Sequence, residues 1–100
     1  LQWKQEQYSL YYYGSEEWYA AIEKAEAFDW KGAMDIWMNR LSVDDPLKRA
    51  CAAYNIATAC YMMGDCHLAL QWLDIADENA DLLVSAGLRK RINSSLQGRR

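Results

Sequence analysis

The chain has 100 residues, 52% of them hydrophobic and 25% charged, with a formal net charge of −3. That is the length of one domain with apolar content for a single modest core, which excludes a disordered chain. Five glycines and one proline give too few turns for an all-β protein, and no apolar run nears the roughly 20 residues of a membrane span.

The charge is uneven. Residues 1–88 carry every acid and six bases, whereas residues 89–100 carry Arg89, Lys90, Arg91, Arg99, Arg100 and no acid. A basic end can engage nucleic acid or an anionic surface, but cations also suit a helix C-terminus. No recognition motif accompanies the charge, so nucleic-acid binding is not expected. A chain starting at Leu1 instead of Met is expected to be a mature or partial form of a longer protein, from which a leader could have been removed.

Residues 1–14 contain Trp3, Tyr8, Leu10 and Tyr11–Tyr13. A helix ending at Gly14 is expected, with a short extended arm as the alternative. Trp18, Ala21, Ile22, Ala25 and Phe28 then follow one helix face, predicting a helix over about 16–28. Asp29 is placed to cap a second helix, about 30–41, with Trp30, Ala33, Ile36 and Trp37 on one side. Asp45 and Pro46 mark the start of a third helix, about 46–63, whose Ala53, Ile56, Ala57, Cys60 and Met63 repeat the first set 35 residues on. Gly64 ends it and Asp65 caps a fourth, about 66–79, whose Asp65, Cys66, Ala69, Trp72 and Leu73 repeat the second set 36 residues on. The additional residue is Gly64, with no counterpart between Phe28 and Asp29. Val84, Leu88, Ile92 and Leu96 give a last helix, about 82–97, with one apolar stripe, as a cap requires. The expected architecture is all-α: two consecutive helix hairpins, residues 15–44 and 45–80, between an N-terminal segment (1–14) and a capping helix with a basic tail (81–100).

These residues resemble the tetratricopeptide repeat. In the second unit Tyr54-Asn55-Ile56-Ala57, Gly64-Asp65, Ala69 and Ala76 match its pattern, and in the first Trp18, Ala21-Ile22, Asp29 and Ala33. Ala33 and Ala69 must be small for the helices of a hairpin to approach to about 8–10 Å. The first unit departs in lacking a turn glycine and in having Arg40 where the second alanine is expected, and Pro46 falls one place late. Two units are fewer than the three usually needed, so the flanking segments must act as caps. The resemblance implies a right-handed α–α superhelix whose first helices line a concave groove.

A narrower pattern, Asp29-Trp30…Ala33…Trp37 with Ala53…Asn55…Ala57 and Gly64…Ala69…Trp72, is similar to uncharacterised repeat-containing lipoproteins of the Bacteroidetes envelope. That implies the C-terminal part of a longer envelope protein; a cytoplasmic location is the alternative.

Few residues carry chemistry. Cys51, Cys60 and Cys66 lack framework spacing and are expected to be free thiols, Cys60 in the core and Cys66 more reactive at the turn. Cys60, Cys66 and His67 are one ligand short of a structural zinc site, so no metal is expected. His67 cannot converge with adjacent Cys66 on a helix and is expected at the surface. Glu23 and Glu26 share a solvated face. With no phosphate loop and no nucleophile–base constellation, no enzyme activity and no cofactor are expected. Trp18, Trp30 and Trp37 are core candidates. On the groove face that the resemblance implies, Tyr19, Tyr54, Asn55, Thr58, Tyr61 and Met62 are the candidates for holding an extended protein or peptide. Packing of that face against the N-terminal arm or the last helix is the competing expectation.

Overall fold

Aspartates set the helix starts. In the computed structural model, which describes residues 10–11 and 16–98, helix α1 is Glu16–Glu26, α2 Trp30–Asn39, α3 Pro46–Met62, α4 Cys66–Asn79 and α5 Ser85–Gln97. A 3-10 turn, Arg40–Ser42, follows α2. The Asp29 carboxylate accepts from Gly32 N–H (3.0 Å), Asp45 from Leu47 N–H (3.0 Å) and Lys48 N–H (3.4 Å), and Asp65 from Leu68 N–H (3.2 Å). Each bond satisfies an amide that the helix itself leaves unpaired. Pro46 opens α3 at a position where a missing N–H costs nothing.

The helices α1 and α3 also stop alike. Asp29 N–H donates to Lys24 C=O (2.8 Å) and Phe28 N–H to Ala25 C=O (2.9 Å); Asp65 N–H donates to Cys60 C=O (2.8 Å) and Gly64 N–H to Tyr61 C=O (3.0 Å). This pair of bonds requires a left-handed residue just past the helix. Gly64 supplies it at φ 89° and Phe28 at φ 64°. The expectation that Gly64 has no counterpart is therefore corrected. Phe28 stands in its place at a constant spacing of 36 residues, because backbone hydrogen bonds fix the turn whatever side chain is present. For a residue with a Cβ the conformation costs about 1–2 kcal/mol.

Packing follows chain order. α2 lies against α1 and α3, α3 against α4, and α4 against α5, which also reaches back to α3. α2 buries Trp30, Ala33 and Trp37; α4 buries Cys66, Ala69, Leu73 and Ala76. The first three of each set again pair at 36. Ala33 and Ala69 have no exposed surface, as expected for small residues at a close helix contact. α1 buries one stripe, Trp18, Ala21 and Ala25, whereas α3 buries every residue from Ala50 to Cys60. α3 is the centre of the molecule.

The last helix begins at Ser85, three residues later than expected. Residues 81–84 turn so that Leu82 enters the core while Leu83 stands 98% exposed. Ser85 then donates its N–H to Leu82 C=O (3.2 Å) and its hydroxyl to Asp77 (2.7 Å).

Candidate functional site

The six groove candidates separate by depth. Tyr19, on α1, is 51% exposed. Tyr61 and Met62, in the last turn of α3, are half-buried. Tyr54, Asn55 and Thr58, in mid-helix, are buried, Asn55 and Thr58 without exposed surface. The expected open cleft is thus closed at its centre.

What closes it is the chain itself. The Asn55 side-chain amide donates through Nδ2 to Tyr11 C=O (2.7 Å) and accepts through Oδ1 from Tyr11 N–H (2.9 Å). A buried amide needs such partners, since leaving it unpaired would cost about 1–3 kcal/mol. One side chain can bond both the N–H and the C=O of a single residue only if they point the same way, as they do in extended backbone. The ring of Tyr11 meets Tyr54 edge to face, centroids 5.4 Å apart and planes at 79°. Leu10 packs beside it against the core. Burial raises the Tyr54 phenol above its ordinary pKa, and Tyr11 is raised for the same reason. Thr58 turns inward and donates to Tyr54 C=O (3.2 Å).

Leu10 and Tyr11 are not helical, which corrects the expected N-terminal helix at these two positions. The rest of the 1–14 segment lies outside the described residues. Sequence reasoning named the N-terminal arm as a competing cover for this face without singling out Tyr11, and one signal pointed to a cover. Residues 50–60 contain no charged side chain, so no face of mid-α3 is built for water.

Elsewhere the chemistry-bearing residues are dispersed. Trp18, Trp30 and Trp37 are buried, and Glu23, Glu26 and His67 are exposed. All three cysteines are free and buried. Burial pushes the Cys60 thiol up to about 11, with Asp65 adding to the effect. Cys66, expected to be more accessible, is 3% exposed, because its place in α4 matches that of buried Trp30 in α2. Among the described residues no three His, Cys, Asp or Glu side chains converge on a point. The Arg89 guanidinium pairs with Asp74 (3.0 Å) and Asp77 (2.9 Å), so part of the basic end is tied to α4. Beside it an open polar groove of about 550 Å³ runs between α4 and α5, lined by Asp77, Ser85, Arg89, Lys90 and Asn93 among others. No helix among the described residues is long and apolar enough to cross a membrane.

An all-α stack with a segment of its own chain held at its central helix is the class that fold and site define. Residues 19–96 match the family described as a domain of unknown function, DUF6340, and the chain belongs to that family. No curated protein and no solved structure matches it.

Proposed function

We propose that this chain is a non-enzymatic interaction module of the tetratricopeptide-like kind, whose α1–α3 face holds an extended segment of protein. The constant spacing of 36, the paired turns and the small residues Ala33 and Ala69 support the repeat reading. The observation that carries the functional reading is the Asn55 amide. It is buried in the central helix, yet it bonds the main chain of another segment instead of its own helix. Main-chain bonds of this kind give affinity without demanding a sequence, and neighbouring side chains supply selectivity. Neither a metal nor a cofactor enters this reading, and the expected partner is a protein or peptide.

A second reading is favoured by the burial of Tyr54 and Asn55 behind Tyr11. In it the chain is a structural C-terminal segment of a bacterial envelope lipoprotein, filling its own groove and binding nothing else. Panning a displayed random-peptide library separates the two. An interaction module enriches peptides that shift the amide signals of Tyr19, Tyr61 and Met62 and that lose binding in a Tyr19→Ala/Tyr61→Ala variant. If no peptide enriches, either on the native chain or on a Tyr11→Pro variant, the structural reading stands in its place.

A further inference from the structure

We infer that Leu10–Tyr11 is a displaceable internal ligand, and that the Asn55–Tyr54 site accepts from outside an extended peptide carrying an aliphatic residue followed by an aromatic one. This rests on the reading of the α1–α3 face given above and specifies its occupant.

The chemistry of the occupant is written in the contacts. Asn55 offers one donor and one acceptor to one residue's backbone, a pairing that any non-proline residue in extended conformation can make. Tyr54 presents a ring to the side chain of that residue, and an edge-to-face partner must itself be aromatic. The preceding position is occupied by Leu10, half-buried against the core, which suits an aliphatic side chain. The two main-chain bonds and the ring contact of Tyr11 are all reproducible by a peptide in trans.

The geometry also sets how an outside partner competes. Tyr11 is joined to α1 by the short stretch 12–15. A ligand tethered this closely acts at an effective concentration in the millimolar range. If the Leu10–Tyr11 segment itself binds the site at about 0.1 mM, an outside peptide would bind the self-occupied site about tenfold more weakly than the empty one. The internal segment sets a threshold that only a better-matched or more concentrated partner passes.

The test uses the full chain and a synthetic peptide of residues 6–13, titrated by fluorescence polarisation. Tyr11→Pro removes both the N–H that Asn55 accepts and the ring that meets Tyr54. That variant should bind the peptide about tenfold more tightly than the native chain, and Tyr11→Pro/Asn55→Leu should lose the gain. Equal binding to native chain and Tyr11→Pro, no binding to a folded Tyr11→Pro, or binding indifferent to Asn55→Leu overturns the inference. Should Tyr11→Pro fail to fold by circular dichroism, Tyr11→Ala keeps the N–H and loses only the ring. It should then show a smaller gain, and no gain overturns the inference equally. If peptides from the displayed library bind through Tyr19 and Tyr61 while this titration fails, the interaction module stands and only the internal-ligand inference falls.

Discussion

The two hairpins share caps, turn hydrogen bonds and a spacing of 36, and they differ in how much of themselves they bury. α1 has 11 residues and one buried stripe, while α3 has 17 and is buried on all sides from Ala50 to Cys60. α2 stops after 10 residues at Arg40, whose Nε is buried without a hydrogen-bond partner; α4 runs 14 residues past fully buried Ala76. The contrast teaches that place in the stack decides a helix's burial. α3 has a neighbour on every flank and is made of small uncharged residues, which allow close approach around its whole circumference. Among the described residues α1 ends the stack on its side, and its acids are exposed.

Overpacking should break the symmetry most sharply. Ala21 and Ala57 lie 36 apart and neither has exposed surface. Leucine at 57 has nowhere to expand and should cost about 3 kcal/mol or more, whereas Ala21→Leu should cost about 1 kcal/mol, because α1 can shift outward. Urea unfolding of the two variants measures both, and equal losses would mean that stack position is not the determinant.

Alkaline pH should separate the hairpins next, since all three cysteines lie in the second. The folded protein holds the Cys60 proton to about 11 where the unfolded chain releases it near 9. The associated stabilisation, on the order of 3 kcal/mol, is complete below pH 9 and is lost as pH rises toward 11. Amide exchange should accelerate in α3 and α4 before α1, and Cys60→Ala should flatten the lower part of the fall. A slope unchanged in that variant would assign the effect to another group.

The turns give the smallest difference and the only reversal of sign. Gly64→Ala should cost about 1 kcal/mol through backbone conformation alone, because nothing lies within 4 Å of the added Cβ. Phe28→Gly should instead raise stability by up to about 1 kcal/mol, as the left-handed strain is released. If both substitutions destabilise equally, the contacts of the Phe28 side chain outweigh its strain.

The caps at Asp29, Asp45 and Asp65, the four hairpin helices and the tryptophan core were legible in the sequence because each is local. Their cause lies within four residues or one helical period. Phe28 as the counterpart of Gly64 was not legible, since a phenylalanine carries no mark of a positive φ. The start of α5 was missed because the apolar spacing of Val84, Leu88, Ile92 and Leu96 sets no boundary by itself, while the inward turn of Leu82 depends on a core supplied by other helices. Tyr54 and Asn55 were identified as residues of one face, but what lies on that face depends on Tyr11, far away in sequence. A helix without charge over 11 residues announces that it is covered and leaves the cover unnamed.

That distance has a kinetic meaning. Each helix packs mainly on its neighbours in the chain, so most of the stack consists of contacts that close quickly. The Tyr11–Asn55 bonds span 44 residues. A contact with so long a loop to close, made through one amide and one ring, should form after the helices have assembled and open before they come apart. Stopped-flow refolding with a fluorophore near Tyr11 should therefore record a late phase that helical ellipticity does not share.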